Sequence, residues 1–210
     1  MASLIDLTAF APQARRFLSE LEANNDRAWF NANKQRYDSE VKRPAELMIA
    51  QLTPELEVLS GDRPRPKLFR PHRDVRFSDD KLPFHTHLHA LWSLPDGRAW
   101  YFALSGGYAT AGAGILGFDG RQMLAWQAAL MGREGDELEH IISRIGGRID
   151  PAPDPGTEVP PGPREELMRR PGCVLWIDGI FEALTPDPVA TLLQCYARLQ
   201  PLQDWLGKRL

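Results

Sequence analysis

A chain of 210 residues with 43% hydrophobic and 25% charged residues has the composition of a packed globular domain, which excludes disordered and fibrous classes. Its formal net charge of -3 argues against capture of nucleic acid by the whole molecule, and Cys173 and Cys195 are too few for a disulfide framework or a four-ligand zinc site. The opening MASLIDLTAF lacks the features of a secretory leader and no run of about eighteen apolar residues occurs, so a cytoplasmic protein with no membrane span and one domain over residues 1–210 is expected.

Phe10, Ala14, Phe17, Leu18 and Leu21 recur at helical spacing and predict a first helix ending near Asn24-Asn25. Asp26 can cap a second helix carrying Trp29 and Phe30 as core residues, and Pro44 kinks or restarts the helical run that continues through Leu52. A stiff Pro- and Arg-rich connector, Gly61 to Pro66, leads into Lys67 to Ser78, which reads as an edge or bulged strand interrupted by Pro71. In that strand Phe69, Arg73, Val75 and Phe77 share one face, and Arg70, His72, Asp74, Arg76 and Ser78 the other.

Arg98 to Ser105 reads as a second strand with Trp100, Phe102 and Leu104 on one side. Gly106-Gly107 turns it into a returning strand over Ala109 to Gly114. Gly120 to Met131 and Glu134 to Ile145 predict two helices, followed by a Pro-rich loop over Pro151 to Pro163, a short helix over Arg164 to Arg170 and a buried strand over Cys173 to Ile177. Thr185-Pro186 is read as the start of a helix running to Leu199, with Pro201 opening a last amphipathic turn. The expected fold is α+β, an antiparallel sheet with N-terminal and C-terminal helices packed on it, and both cysteines are expected to be free thiols.

The run Arg73-Asp74-Val75-Arg76-Phe77-Ser78-Asp79-Asp80-Lys81-Leu82-Pro83-Phe84-His85-Thr86-His87 resembles the signature of the family known as domain of unknown function 2461. Upstream, Asn24-Asn25-Asp26-Arg27-Ala28-Trp29-Phe30 is similar to that family's N-terminal entry motif, and Gly112-Ala113-Gly114-Ile115 to its Gly-rich strand. Beyond Gly120 the likeness thins, with Arg170-Pro171-Gly172-Cys173 standing where a Pro-Lys-Gly-Tyr element is expected. The resemblance implies an α+β fold and carries no activity with it.

Arg63, Arg65, Lys67, Arg70, Arg73, Arg76 and Lys81 cluster in a short span among Asp74, Asp79 and Asp80. Two readings stand open. Guanidinium and ammonium groups match phosphate or carboxylate, so Arg70, Arg73, Arg76 and Lys81, with His87, are candidates to hold an anionic small molecule, and Asp74 or Asp80 to act as general base or metal ligand. Alternatively the same residues form a structural ion-pair network, in a module that binds a protein or nucleic acid without catalysis. In the network, Arg73 on the apolar face would be buried against a carboxylate of the N-terminal helices.

His85-x-His87-x-His89 would put imidazoles on one face of a strand, which is ligand geometry for a first-row metal, but the residues fit a turn into a packed segment equally well. In the family pattern the position of His85 is commonly lysine, which would not ligate. Gly106-Gly107 and Gly112-x-Gly114 lack the helix that a phosphate cradle needs, so close strand packing or a hairpin turn is the expected cause. Neither a cofactor nor an oligomeric state is readable from the sequence.

Overall fold

Helix α1 (Phe10–Ala23) forms because Phe10, Ala14, Phe17, Leu18 and Leu21 fall on one face, and all of them are buried. The structure, a computed structural model, describes residues 7–76 and 78–210; residues 1–6, in the opening segment, and Phe77, in the expected strand, lie outside them. Asp26 starts α2 (Arg27–Ala32) by accepting a hydrogen bond from the Trp29 N–H at 2.9 Å, as the sequence predicts. A short α3 (Lys34–Arg36) and a π-helical turn over Tyr37–Lys42 follow. Pro44 then sits in the first turn of α4 (Arg43–Ser60), where a missing N–H breaks no helical bond, so it restarts the helix.

The strands are β1 (Arg65–Leu68), β2 (His87–Ser93), β3 (Ala99–Ser105) and β4 (Ala109–Ile115). Next in the chain come α5 (Gly120–Leu130), α6 (Arg133–Ile145), β5 (Arg148–Asp150), α7 (Glu165–Met168) and β6 (Cys173–Asp178), then α8 (Phe181–Leu184) and α9 (Pro188–Arg209). All the strand pairings are antiparallel, in one 6-stranded sheet of order β1-β2-β3-β4-β6-β5. Helix α1 packs on β3, α4 on β1 and α9 on β4, so N-terminal and C-terminal helices cover the sheet and the fold is α+β.

Strand alternation decides which side chains they cover. Leu88, Ala90 and Trp92 of β2 join Trp100, Phe102 and Leu104 of β3 in the core. His87, His89 and Leu91 therefore project from the opposite face, where they are only half-buried. Cys173 and Cys195 are both buried and unpaired.

The glycine pair on β4 has the packing role expected of it. A side chain at Gly112 would collide with the Trp176 ring lying over it, and Gly114, at φ 143°, runs against the backbone of Cys173 and Val174. In the β3–β4 turn the Ser105 hydroxyl accepts from the N–H groups of Gly107 and Tyr108, both at 3.1 Å.

Several expectations need correction. The strand expected over Phe69 to Phe77 ends at Leu68: the Phe69 N–H still bonds the His89 carbonyl at 3.0 Å, but Pro71 has no N–H with which to continue the ladder. The last helix starts at Pro188, not at Thr185-Pro186. Asp187 caps it by accepting from the Ala190 N–H at 2.9 Å, whereas the Thr185 hydroxyl bonds the Phe181 carbonyl at the end of α8. Pro201 interrupts nothing, and α9 runs through it to Arg209. Proline on the exposed side of a helix costs about 3 kcal/mol, and the buried stripe of Leu192, Tyr196, Leu199, Leu202 and Leu206 outweighs that.

Candidate anion-binding cleft

Between β1 and β2 the chain makes an excursion over residues 69–86 that folds back on itself. The His85 N–H bonds the Pro71 carbonyl at 2.7 Å, the Arg73 N–H bonds the Pro83 carbonyl at 2.9 Å, and His72 and Phe84 form an isolated antiparallel bridge. Two anchors fix its base. Asn25 clasps Phe84, its side-chain amide donating to the Phe84 carbonyl at 2.9 Å while its side-chain oxygen accepts from the Phe84 N–H at 3.1 Å. The Phe84 ring stacks on Phe30 with centroids 4.1 Å apart, and both rings are buried. Asn25 and Phe30, close together in the N-terminal motif, thus hold the excursion from outside it.

The tip of the excursion is a set of closed pairs. Arg76 grips Asp74 with two nitrogens, Nε to Oδ1 at 2.9 Å and Nη2 to Oδ2 at 2.6 Å. Arg73 pairs with Asp80 at 2.5 Å and also reaches the Leu82 carbonyl, while the Lys81 ammonium donates to the Val75 carbonyl at 3.1 Å. The Arg76 guanidinium, with its own backbone N–H, holds the Asp74 carboxyl below the usual carboxylate range, and the Leu82 N–H, with Arg73, does the same for Asp80. Arg73 was expected to be buried against a helix carboxylate. Its side chain is 22% exposed and its partner comes from its own loop, because the excursion leaves the sheet before Arg73 is reached.

The base of the excursion is different. There a cleft of about 690 Å³ opens beside the face of β1 and β2 that the helices do not cover. Lys67 enters it from β1, Phe69, Arg70 and His72 from the excursion, and His85, His87 and His89 from the return into β2. Among the described residues no Asp or Glu lines it. Lys67 lies over the Phe69 ring, 4.4 Å from its centroid, and Arg70 forms no ion pair among the described residues, although Asp74 is near enough to feel its charge.

The imidazoles form a ladder along β2. His87 and His89 stack with centroids 4.0 Å apart and planes 18° from parallel, and His85 lies 5.1 Å from His87. Burial holds the His89 imidazole down to about 4, with His87 and His85 adding to the effect. Burial also lowers His87 and His85, and the positive charge of Arg73 bears on both. Among the described residues no group of three or more His, Cys, Asp or Glu side chains converges to hold a metal ion.

The sequence-derived candidates thus separate. Arg70 and His87 line the cleft, whereas Arg73 lines a neighbouring cavity of about 270 Å³ with Arg27 and Asn31, and Asp74, Arg76, Asp80 and Lys81 occupy the tip. The sequence set left Lys67, His85 and His89 out of the anion site. Their signal was the alternation His85-x-His87-x-His89 and the position of Lys67 just before the excursion.

The sequence profile of the family described as "Conserved hypothetical protein (DUF2461)" matches residues 13–205. The chain belongs to this family. The match covers α1 through most of α9, well beyond the region in which the motif likeness was read. Compared with curated proteins, the chain finds no match. No helix among the described residues is long and apolar enough to cross a membrane.

Proposed function

We propose that this DUF2461 protein binds an anionic small molecule, phosphorylated or carrying a comparable oxyanion, in the cleft formed by Lys67, Arg70 and the β2 histidines. The observation that carries this reading is a cleft of about 690 Å³ in which fixed cations and imidazoles meet with no lining carboxylate among the described residues. That volume suits a small ligand, and cations that close no ion pair among the described residues leave donors for an external anion. Its buried free thiols and its lack of a membrane-crossing helix among the described residues support a cytoplasmic setting.

Asp74 and Asp80 are left out of the binding role. A general base works best with a pKa near the operating pH, and both carboxyls are held low, Asp74 by Arg76 and Asp80 by the Leu82 N–H and Arg73. For the tip, the closed Arg76–Asp74 and Arg73–Asp80 pairs favour the second reading, a structural network.

Thermal unfolding in the presence of sulfate, phosphate, pyrophosphate and a chloride control tests the proposal, since a ligand of the native state raises its apparent stability. The divalent anions should raise the melting temperature of the parent and fail to raise that of Lys67→Ala/Arg70→Ala. Equal shifts in parent and variant would place any binding elsewhere.

A further inference from the structure

The cleft holds more latent positive charge than it shows at neutral pH. Lys67 and Arg70 are fixed cations, whereas burial, with the neighbouring imidazoles, biases His87 and His89 towards the neutral form. Among the described residues, the charged and titratable groups lining the cleft are cations and imidazoles. The nearest acids lie outside it, Asp38 and Glu46 in an adjoining cavity that Arg70 also lines, Asp74 within reach of the Arg70 charge and Asp80 paired with Arg73. Around the ladder, Lys67 comes from β1, and Arg70, His72 and Arg73 from the excursion. Across the ladder on β3, Ser105 faces His87 and Ala103 faces His89, and neither brings a charge. A proton arriving on His87 or His89 in the empty cleft therefore meets cations, a stacked ring 4.0 Å away and no lining carboxylate.

We propose that the ligand of this cleft is a multiply charged oxyanion and that seating it draws protons onto the His87–His89 pair. This rests on the anion-binding reading above and adds both the charge class of the ligand and its regulation. A monoanion would be outnumbered by Lys67 and Arg70 alone, which together offer about eight N–H donors. A dianion cancels the positive field of Lys67 and Arg70 that opposes a proton on the histidines, and the stacked pair is the switchable partner beside it. A phosphate ester, with roughly -1.5 to -2 charge near neutral pH, is the biological chemistry of this kind. Linkage makes the coupling reciprocal: whatever factor the anion adds to proton affinity, each proton adds to anion affinity. Binding therefore tightens as the medium acidifies.

The probes are sulfate and ethane-1,2-disulfonate, strong-acid anions whose own charge is constant through the range, so that any proton taken up belongs to the protein. Isothermal titration of the full chain at about pH 6, in two buffers of unlike ionisation enthalpy, should show net proton uptake on anion binding. The association constant, followed from about pH 8 down to about pH 6, should then rise as pH falls, with a slope of at most about tenfold per pH unit for each proton taken up. In His87→Asn/His89→Asn, its fold checked by its melting transition, the uptake and the pH slope should disappear. Sulfate binding with no proton uptake and a flat pH profile would overturn the coupling and leave the anion site standing. A slope that persists in a folded double variant would also overturn it. Absence of binding by the folded parent across the whole range would remove the anion site itself, and the coupling with it.

Discussion

The tip and the base of the excursion between β1 and β2 are built from the same residue types and do opposite things with them. At the tip, Arg73 and Arg76 each close on an aspartate only a few residues away. At the base, Lys67 and Arg70 face a cleft with histidines and no lining carboxylate among the described residues. What separates them is the spacing of acids along the chain. Asp74, Asp79 and Asp80 all fall within the tip, so its arginines find local partners, while the cleft draws its side chains from β1, β2 and the ends of the excursion beside them, where no acid occurs. A concentration of arginine is thus a poor guide to a ligand site unless the acids are placed as well.

The widest break in this comparison comes from removing the anchor that both regions share. Phe84→Ala deletes a buried ring stacked on Phe30 and should destabilise the protein by about 3–5 kcal/mol in chemical denaturation, with loss of anion response. Asn25→Ala removes both bonds to the Phe84 backbone and should cost about 1–3 kcal/mol by the same measurement.

Acid should weaken the fold through the base and not through the tip alone. Unfolded, His89 titrates near 6.5; folded, it is held at about 4, so between those values the unfolded chain binds more protons. Stability should then fall as pH drops through 6.5, with a slope of up to about 1.4 kcal/mol per pH unit from this group. His89→Asn should flatten that part of the profile, measured by denaturation at a series of pH values. Asp74 and Asp80, whose folded carboxyls are lowered, lose their contribution only on further acidification, through the carboxylate range.

The smallest effect sharpens the contrast. Arg76→Ala changes a residue at an exposed tip and should leave both the melting temperature and the sulfate response of the parent essentially unchanged. If it abolishes the response as Lys67→Ala/Arg70→Ala does, the tip and the base are one site.

Much of the fold was legible because its signals are local. Asp26 caps the helix that its position predicts, and the apolar alternation of Trp100, Phe102 and Leu104 marks a strand. The misreadings involve proline, whose effect depends on what surrounds it. Pro71 ends β1 outright, whereas Pro201 sits in α9 without ending it because the helix's buried stripe continues beyond it. Asp187-Pro188 and Thr185-Pro186 offer the same local signal, and only the packing of α8 decides between them. The histidine alternation was legible. Its facing Lys67 and Arg70 across one cleft was not, because that depends on β1 pairing with β2 and on the excursion folding back at Pro71 and Pro83.

The protein's 5 histidines carry the most direct test of the anion cleft. His72, His85, His87 and His89 line it, while His140 lies on α6 beside a different cavity and serves as an internal control. Imidazole nitrogen shifts should be followed by NMR as sulfate is titrated into the full chain near neutral pH. The account predicts saturable movement of the His85, His87 and His89 resonances towards their protonated positions, with His140 still. Uniform small drifts of all the histidines, His140 included, would contradict it.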